Sequence, residues 1–256
     1  MKGRVYLIGA GPGAPDLLTL RAAEILRRAD VVFYDSLVHP QTLALAGNAT
    51  RIPVGKRSGR RSTAQKFINK RLIDAARVHA VVVRLKGGDP LLFGRAQEEI
   101  DALRRAGVGF EIVPGVTAAT AAAAEMGVSL TRRGLSRHVA FVTPRAADGE
   151  RSNDWAASVL AADTAVVYMG AGLAEPISAE LIERGKPATT PVALVENASL
   201  PERRVLLGTL AQLPALALKT GDGPVVVIFG EVLKAALAGG GAARADDFEG
   251  LLEQAS

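Results

Sequence analysis

Apolar residues in this chain fall into short runs rich in Val, Ile and Leu, separated by stretches where they recur every three or four positions. The runs predict strands at 4–9, 31–34, 50–54, 80–85 and 109–113, and the spaced stretches predict helices over 17–29, 64–77 and 96–106. In the first helix Leu17, Leu20, Ala23 and Leu26 form an apolar stripe opposite Arg21, Glu24, Arg27 and Arg28. Pro15 delays that helix, so Asp16 is expected as its N-cap and Leu17 as its first residue. An alanine-rich helix over 116–126 then leads into a second series of strands at 138–143, 164–168, 192–196, 205–209 and 225–229. Such alternation is α/β architecture. Pro114-Gly115 reads as a junction between two α/β domains, 1–114 and 115–238. The Gly239-Gly240-Gly241 run opens a tail, 239–256, expected to hold little fixed structure.

Composition narrows the chemistry. A chain of 256 residues, 48% of them hydrophobic, can bury a sizeable core. With no cysteine, disulfides, thiolate metal sites and cysteine nucleophiles are excluded together. His39, His79 and His138 are too scattered for a helical metal pair, and no metal is expected. No stretch approaches the roughly 20 apolar residues of a membrane helix. The run 5–10 is stopped by Gly11-Pro12-Gly13 and reads as a strand rather than a leader. A cytoplasmic enzyme away from membranes is the expectation.

Net charge is +5, but it is unevenly spread. The tail sets Arg244 against Asp246, Asp247, Glu249 and Glu253, which leaves +8 on the remainder. Between Arg51 and Arg71 lie Lys56, Arg57, Arg60, Arg61, Lys66 and Lys70, with no acid until Asp74. The bland reading of such a run is a solvated face. Nucleic acid is disfavoured because aromatics make up only 4% of the chain and Phe67 alone interleaves with the basic residues. A polyanionic small molecule suits the charge at least as well.

The first strand ends in Gly9-Ala10-Gly11-Pro12-Gly13-Ala14, and Asp35 follows at the end of the second strand. That is the outline of a dinucleotide fingerprint and the basis for an oxidoreductase alternative. Pro12, however, removes an N–H donor from the turn that would have to cradle a pyrophosphate. The loop is better read as a stiff, donor-poor wall at a strand's carboxyl end. A second turn, Gly87-Gly88-Asp89-Pro90, follows the run Val83-Arg84-Leu85-Lys86. Its glycines permit positive φ and close backbone approach, and Asp89 offers a carboxylate to a ligand or to the turn itself.

Together with Val54-Gly55-Lys56-Arg57, Val113-Pro114-Gly115-Val116-Thr117-Ala118, Tyr168-Met169-Gly170 and Val195-Glu196-Asn197, these segments resemble the uroporphyrinogen-III C-methyltransferases. The likeness is collinear from about Val5 to Glu231. It implies two α/β domains of the tetrapyrrole methylase type with a cofactor cleft between them, and S-adenosyl-L-methionine as methyl donor. Carried over residue by residue, it implies cofactor contacts at Pro12, Gly87, Gly88, Asp89, Leu92, Thr117, Ala118, Met169, Ala198 and Val225. It also assigns a proton acceptor to Asp35 and a proton donor to Lys56. Each has a plainer alternative: Met169 and Val225 as core, Thr117 as a helix cap, Lys56 as a solvated lysine.

The resemblance further implies a homodimer and a substrate fringed with acetate and propionate groups. Uroporphyrinogen III would be methylated twice, at C-2 and C-7, to precorrin-2, with S-adenosyl-L-homocysteine released. The branch beyond, siroheme or cobalamin, stays open. Arg95 is read as a bidentate holder of a substrate carboxylate. A later corrin-ring methyltransferase is the alternative of the same fold. The chain is expected to be a stand-alone methylase, with no fused oxidoreductase or chelatase module. It departs from the family pattern at Ala96-Gln97, Thr131-Arg132-Arg133, Thr143-Pro144-Arg145 and the small Gly170-Ala171-Gly172 loop. These changes bear on the substrate mouth more than on the cofactor turn.

Overall fold

A computed structural model describes residues 3–55, 62–146 and 154–238, which form two compact α/β units. The first comprises Met1–Ala118 and the short return segment Ser199–Pro201; the second holds Ala119–Ala198 and the chain from Glu202. Lys56 and the 239–256 tail lie outside the described residues.

In the first unit β1 (Arg4–Gly9), α1 (Leu20–Arg27), β2 (Val31–Tyr34), α2 (Pro40–Ala44), β3 (Thr50–Pro53), α3 (Ser62–Val78), β4 (Val81–Lys86), α4 (Ala96–Arg105) and β5 (Gly109–Val113) succeed one another. The five strands make one parallel sheet in the order β3-β2-β4-β1-β5. A parallel sheet must be covered on both faces. One face of β1 and β4 (Tyr6, Ile8, Val83, Leu85) packs with Ala22, Ile25 and Leu26 of α1. The other (Val5, Leu7, Val82) packs with Ile68 and Leu72 of α3 and Ile100 and Leu103 of α4.

The first helix starts later than the pattern predicts. Residues Pro15–Leu17 form a single 3-10 turn, and Thr19, not Asp16, caps α1 by accepting from the Ala22 amide at 3.2 Å. The buried stripe is accordingly Ala22, Ile25 and Leu26, and Leu20 stands 86% exposed. The reason is competition between two caps. Pro15 fits the first position of a tight turn, and the threonine hydroxyl two residues beyond that turn then nucleates the helix proper.

The second unit opens with α5 (Ala118–Glu125) and continues through β6 (Val139–Val142), α6 (Trp155–Ala161), β7 (Thr164–Tyr168), α7 (Ala174–Glu183), β8 (Pro191–Glu196), β9 (Arg204–Thr209), α8 (Leu213–Ala217), β10 (Val225–Gly230) and α9 (Lys234–Ala238). Its sheet is mixed, in the order β6-β7-β10-β8-β9, with only the β6–β7 pair parallel. One core lies between Val167, Val192, Leu194, Val227 and Phe229 and the helices α6, α7 and α8. The other sets Val166, Val195, Val226 and Ile228 against the alanines of α5. Small side chains let that helix lie close to the sheet.

Candidate active site

The chain leaves β1 through α1 on one face of the first sheet and leaves β4 through α4 on the other. The carboxyl ends of these neighbouring strands therefore form a topological switch point, where open α/β sheets bind ligands. Backbone meets backbone there. Gly11 and Gly88 exchange amide hydrogen bonds, Gly88 N donating to Gly11 O at 2.7 Å and Gly11 N to Gly88 O at 3.3 Å. Ala10 N donates to Lys86 O at 2.7 Å, so the Ala10 and Gly11 amides of the first glycine loop are both spent within the chain. A side chain on Gly9 would lie 2.6 Å from Gly115 Cα and from Gly88 O, which is why neither Gly9 nor Gly115 has room for one.

Asp89 holds this arrangement together. Its Oδ1 accepts from Leu91 N at 2.8 Å and its Oδ2 from Gly115 N at 2.9 Å, which ties the turn after β4 to the turn after β5. The carboxylate expected to face a ligand is thus committed on both oxygens. Gly88, by contrast, has φ +66° and no atom within 4 Å of where a side chain would project. The turn presents bare, open backbone. Leu92, four residues after Gly88, and Pro12, next to Gly11, are half-buried, and Thr117 and Ala118 follow Gly115 at the start of α5.

Asp35 sits at the carboxyl end of β2 with its side chain 24% exposed. Its Oδ1 accepts from Leu37 N at 3.3 Å and from Gly87 N at 3.4 Å, so the same turn that brings Gly88 forward also orients Asp35. Its Oδ2 lies 3.7 Å from Arg84 Nη2. Arg84 and Lys86 extend from β4 into the face covered by α3 and α4, and both are 4% exposed. They converge on Glu99 of α4, which is wholly buried: its Oε1 accepts from Arg84 Nε at 3.1 Å, Lys86 Nζ at 3.2 Å and Gln65 Nε2 at 3.1 Å. Burial, and after it the Arg84 charge, push the Lys86 ammonium below the usual lysine range, against the pull of Glu99 and Asp35.

Arg95 has φ +56° and closes a bidentate pair with Glu98, at 2.6 and 2.8 Å. The fork assigned to a substrate carboxylate therefore already grips one from its own helix, at the surface, where a stronger anion could exchange with it. Ala96 is buried as the first residue of α4 and simply favours the helix.

In the second unit a cavity of about 700 Å³ is lined by Arg145, Met169, Ala174, Pro214, Thr220 and Val225 among others. Met169 has φ +58° just past β7 and is 44% exposed, so it serves the cavity rather than the core. Val225 opens β10 opposite Glu196. Glu196 is 2% exposed and accepts on Oε1 from Gly221 N at 2.9 Å and Gly223 N at 3.0 Å, which fixes the loop forming one cavity wall. Arg145 Nε donates to Met169 O at 3.3 Å, which places a guanidinium at the cavity. Ala198 does not line the cavity; it packs in the core beside Val195 and Val226.

The structure thus gathers Asp35, Gly87, Gly88 and Asp89 at one sheet end, and Met169 and Val225 at one cavity. The sequence reading missed Arg84, Lys86, Glu99 and Glu196. A signal existed for Glu99: it falls in the buried stripe of α4 with Ala96, Ile100 and Leu103. Among the described residues no helix is long and apolar enough to cross a membrane, and no cluster of three or more His, Asp or Glu side chains is placed to hold a metal.

Comparison with known proteins agrees with this fold. Siroheme synthase from Chromobacterium violaceum is 46% identical over 236 residues, 91% of this chain and 50% of that protein. The chain spans about half the length of the curated relatives it matches. The uroporphyrin-III C-methyl transferase of Thermus thermophilus, solved in complex with S-adenyl homocysteine, is 41% identical with a TM-score of 0.79, covering 91% of this chain and 100% of that one. A cobalamin biosynthetic enzyme, cobalt precorrin-4 methyltransferase, has the same TM-score, 0.79, at 29% identity over 90% of this chain and 95% of its own. The family model for tetrapyrrole (corrin/porphyrin) methylases matches residues 4–214. By that match, and with the two α/β units described above, the chain belongs to the tetrapyrrole methylases.

Proposed function

We propose that this chain is an S-adenosylmethionine-dependent C-methyltransferase that methylates uroporphyrinogen III at C-2 and C-7 to give precorrin-2. The observation that carries this reading is the likeness to the Thermus thermophilus enzyme, which spans that whole protein and, at equal TM-score, has the higher sequence identity, 41% against 29% for the precorrin-4 enzyme.

The residues present fit an adenosyl sulfonium. The open backbone at Gly88 leaves room for close approach, and the cavity at Met169 and Val225 lies within the roughly 300–1,000 Å³ typical of small-molecule sites. Pro12, Gly87, Gly88, Leu92, Thr117 and Ala118 are the proposed cofactor residues of the first unit, with Asp89 acting by holding the turn. Met169 and Val225 are those of the second, and Ala198 backs them from the core. When bound, the cofactor supplies an electrophilic methyl group, so the protein's chief task is alignment.

Asp35 takes the proton that the macrocycle loses. Two amides hold Oδ1, and Oδ2 lies 3.7 Å from Arg84 Nη2, so the carboxylate is held in one orientation at the end of the sheet. Arg95 receives a peripheral carboxylate in exchange for Glu98. Lys56 is the proposed proton donor. The domains are proposed at 1–114 and 115–238, and the enzyme is proposed to be a cytoplasmic homodimer.

The test is incubation with S-adenosylmethionine and uroporphyrinogen III, followed by mass and absorption spectra of the product. Addition of two methyl groups with formation of the precorrin-2 chromophore is expected. Failure to transfer any methyl group to this substrate, with turnover of a later corrin intermediate instead, would transfer the assignment to that alternative.

A further inference from the structure

The layer between β4 and the helices α3 and α4 is built mostly of apolar residues, among them Val5, Leu7, Val82, Leu72 and Ile100. Two cations and a carboxylate are conspicuous there. Burying such a set stabilises little, because the desolvation cost offsets the attraction, and well-packed apolar residues usually do as well or better. Stability does not account for Arg84. Its directions do.

Nε donates to Glu99 Oε1 at 3.1 Å, and Nη1 donates to the carbonyls of Leu85 at 3.0 Å and Phe33 at 3.4 Å. These acceptors come from three elements, and they leave the planar guanidinium one attitude. In that attitude Nη2 faces Asp35 Oδ2 at 3.7 Å. Glu99 is itself immobilised: Oε1 takes three donors, and Oε2 has no hydrogen-bond partner among the described residues, so nothing competes to turn the carboxylate away. Lys86 shares the same oxygen and balances the charge that Asp35 and Glu99 bring to the set.

We propose that Arg84 is the positioning residue for Asp35, its guanidinium fixed from within the core by Glu99 so that the Asp35 carboxylate keeps one orientation toward the substrate. The inference rests on Asp35 being the proton acceptor. Lysine at position 84 keeps a cation for Glu99 but has no fork to span two carboxylates, and the wholly buried Glu99 has the stronger claim on it.

A double-mutant cycle on the intact protein tests the idea, with turnover of uroporphyrinogen III, calorimetric binding of S-adenosylhomocysteine and thermal melts recorded for each variant. Asp35→Asn is expected to lower kcat by about 10²–10⁴-fold. Arg84→Lys should lower kcat by roughly tenfold or more while leaving S-adenosylhomocysteine affinity within about twofold, and it should add no further loss in the Asp35→Asn background. An Arg84→Lys effect that persists undiminished in that background would mean the residue acts on the fold and would overturn the proposal, as would normal turnover in Arg84→Lys alone. Normal turnover in Asp35→Asn removes the acceptor assignment itself, and Arg84's role with it. Should Arg84→Lys melt below assay temperature, the triple Arg84→Met, Lys86→Met, Glu99→Met exchanges the whole set for apolar packing. It is expected to fold, bind S-adenosylhomocysteine and turn over as poorly as Arg84→Lys would; wild-type turnover in the triple would end the idea.

Discussion

Two walls proposed to face the cofactor are built by opposite means. At the end of the first sheet, backbone packs on backbone: Gly9, Gly11, Gly88 and Gly115 interlock, with the Asp89 side chain tying the turn to Gly115. At the cavity of the second unit, a buried carboxylate, Glu196, reaches out and grips the amides of Gly221 and Gly223. The first wall owes its shape to what is missing, the second to what is present. A wall of the first kind fails by addition of atoms, and one of the second kind fails by loss of charge.

The largest expected effect follows from adding atoms at the open position. A Cβ added at Gly88 meets no protein atom within 4 Å, so the chief cost of Gly88→Val to folding is that of a β-branched residue at φ +66°, about 1–3 kcal/mol. The side chain projects into the proposed cofactor space, and affinity for S-adenosylhomocysteine should fall roughly a hundredfold or more, about 2.7 kcal/mol. Calorimetric titration beside a circular-dichroism melt separates the two. Unchanged affinity would show that the cofactor does not approach this turn.

Gly115→Ala, next, has no such space. Its new methyl would meet the Gly88 carbonyl oxygen and come within 2.8 Å of Gly9 Cα, both of them backbone. Overpacking of this kind costs about 1–3 kcal/mol. A clearly lowered melting temperature is expected even without ligand, the reverse of the balance at Gly88. A melt equal to wild type would mean the glycines are not in mutual contact.

Smaller again is Glu196→Gln in the second wall. The amide oxygen can still accept, but neutral hydrogen bonds replace charge-assisted ones, worth about 1 kcal/mol in net terms. Binding of S-adenosylhomocysteine should weaken by about threefold to tenfold, with faster hydrogen exchange at the Gly221 and Gly223 amides. Exchange at the wild-type rate would show that the loop is held by something else.

The smallest effect lies outside both walls and serves as their control. The Arg184 side chain, and after it the Ala157 amide, hold the Asp154 carboxyl down to about 2 from 3.8. A depressed carboxylate contributes stability above its unfolded value and loses it as pH falls toward its folded value. Arg184→Met should therefore melt slightly lower than wild type above pH 4, and the difference should close by pH 2. Because the pair is at the surface the shift should be slight. A gap that widened in acid would reverse the assigned sign.

Much of this was legible before any coordinates. Strands 4–9, 31–34, 109–113 and 164–168 fall where the apolar runs put them, because a buried strand of Val and Ile has few competing conformations. The glycine loops and Asp35 were legible as well, since few backbones other than sharp turns call for such residues. Arg84 and Lys86 were not. Charges at alternate positions of a strand read as a solvent face, and only the closure of both faces of a parallel sheet reverses that reading. The two roles of Asp89 were hidden for another reason: its partner Gly115 lies 26 residues away, and nothing local in the sequence announces the pairing.

The return segment Ser199–Pro201 carries a consequence for how the protein is made. Ser199 Oγ accepts from Ala14 N at 3.0 Å, and a side chain on Gly13 would strike Leu200 at 2.8 Å, so the first glycine loop is buttressed by residues that leave the ribosome almost two hundred positions after it. The nascent first sheet can assemble early, but its first glycine loop waits for β8 to be synthesised before gaining its last support. A gene fragment stopped at Ala118 would encode all five strands of that sheet and still deliver an unfinished loop.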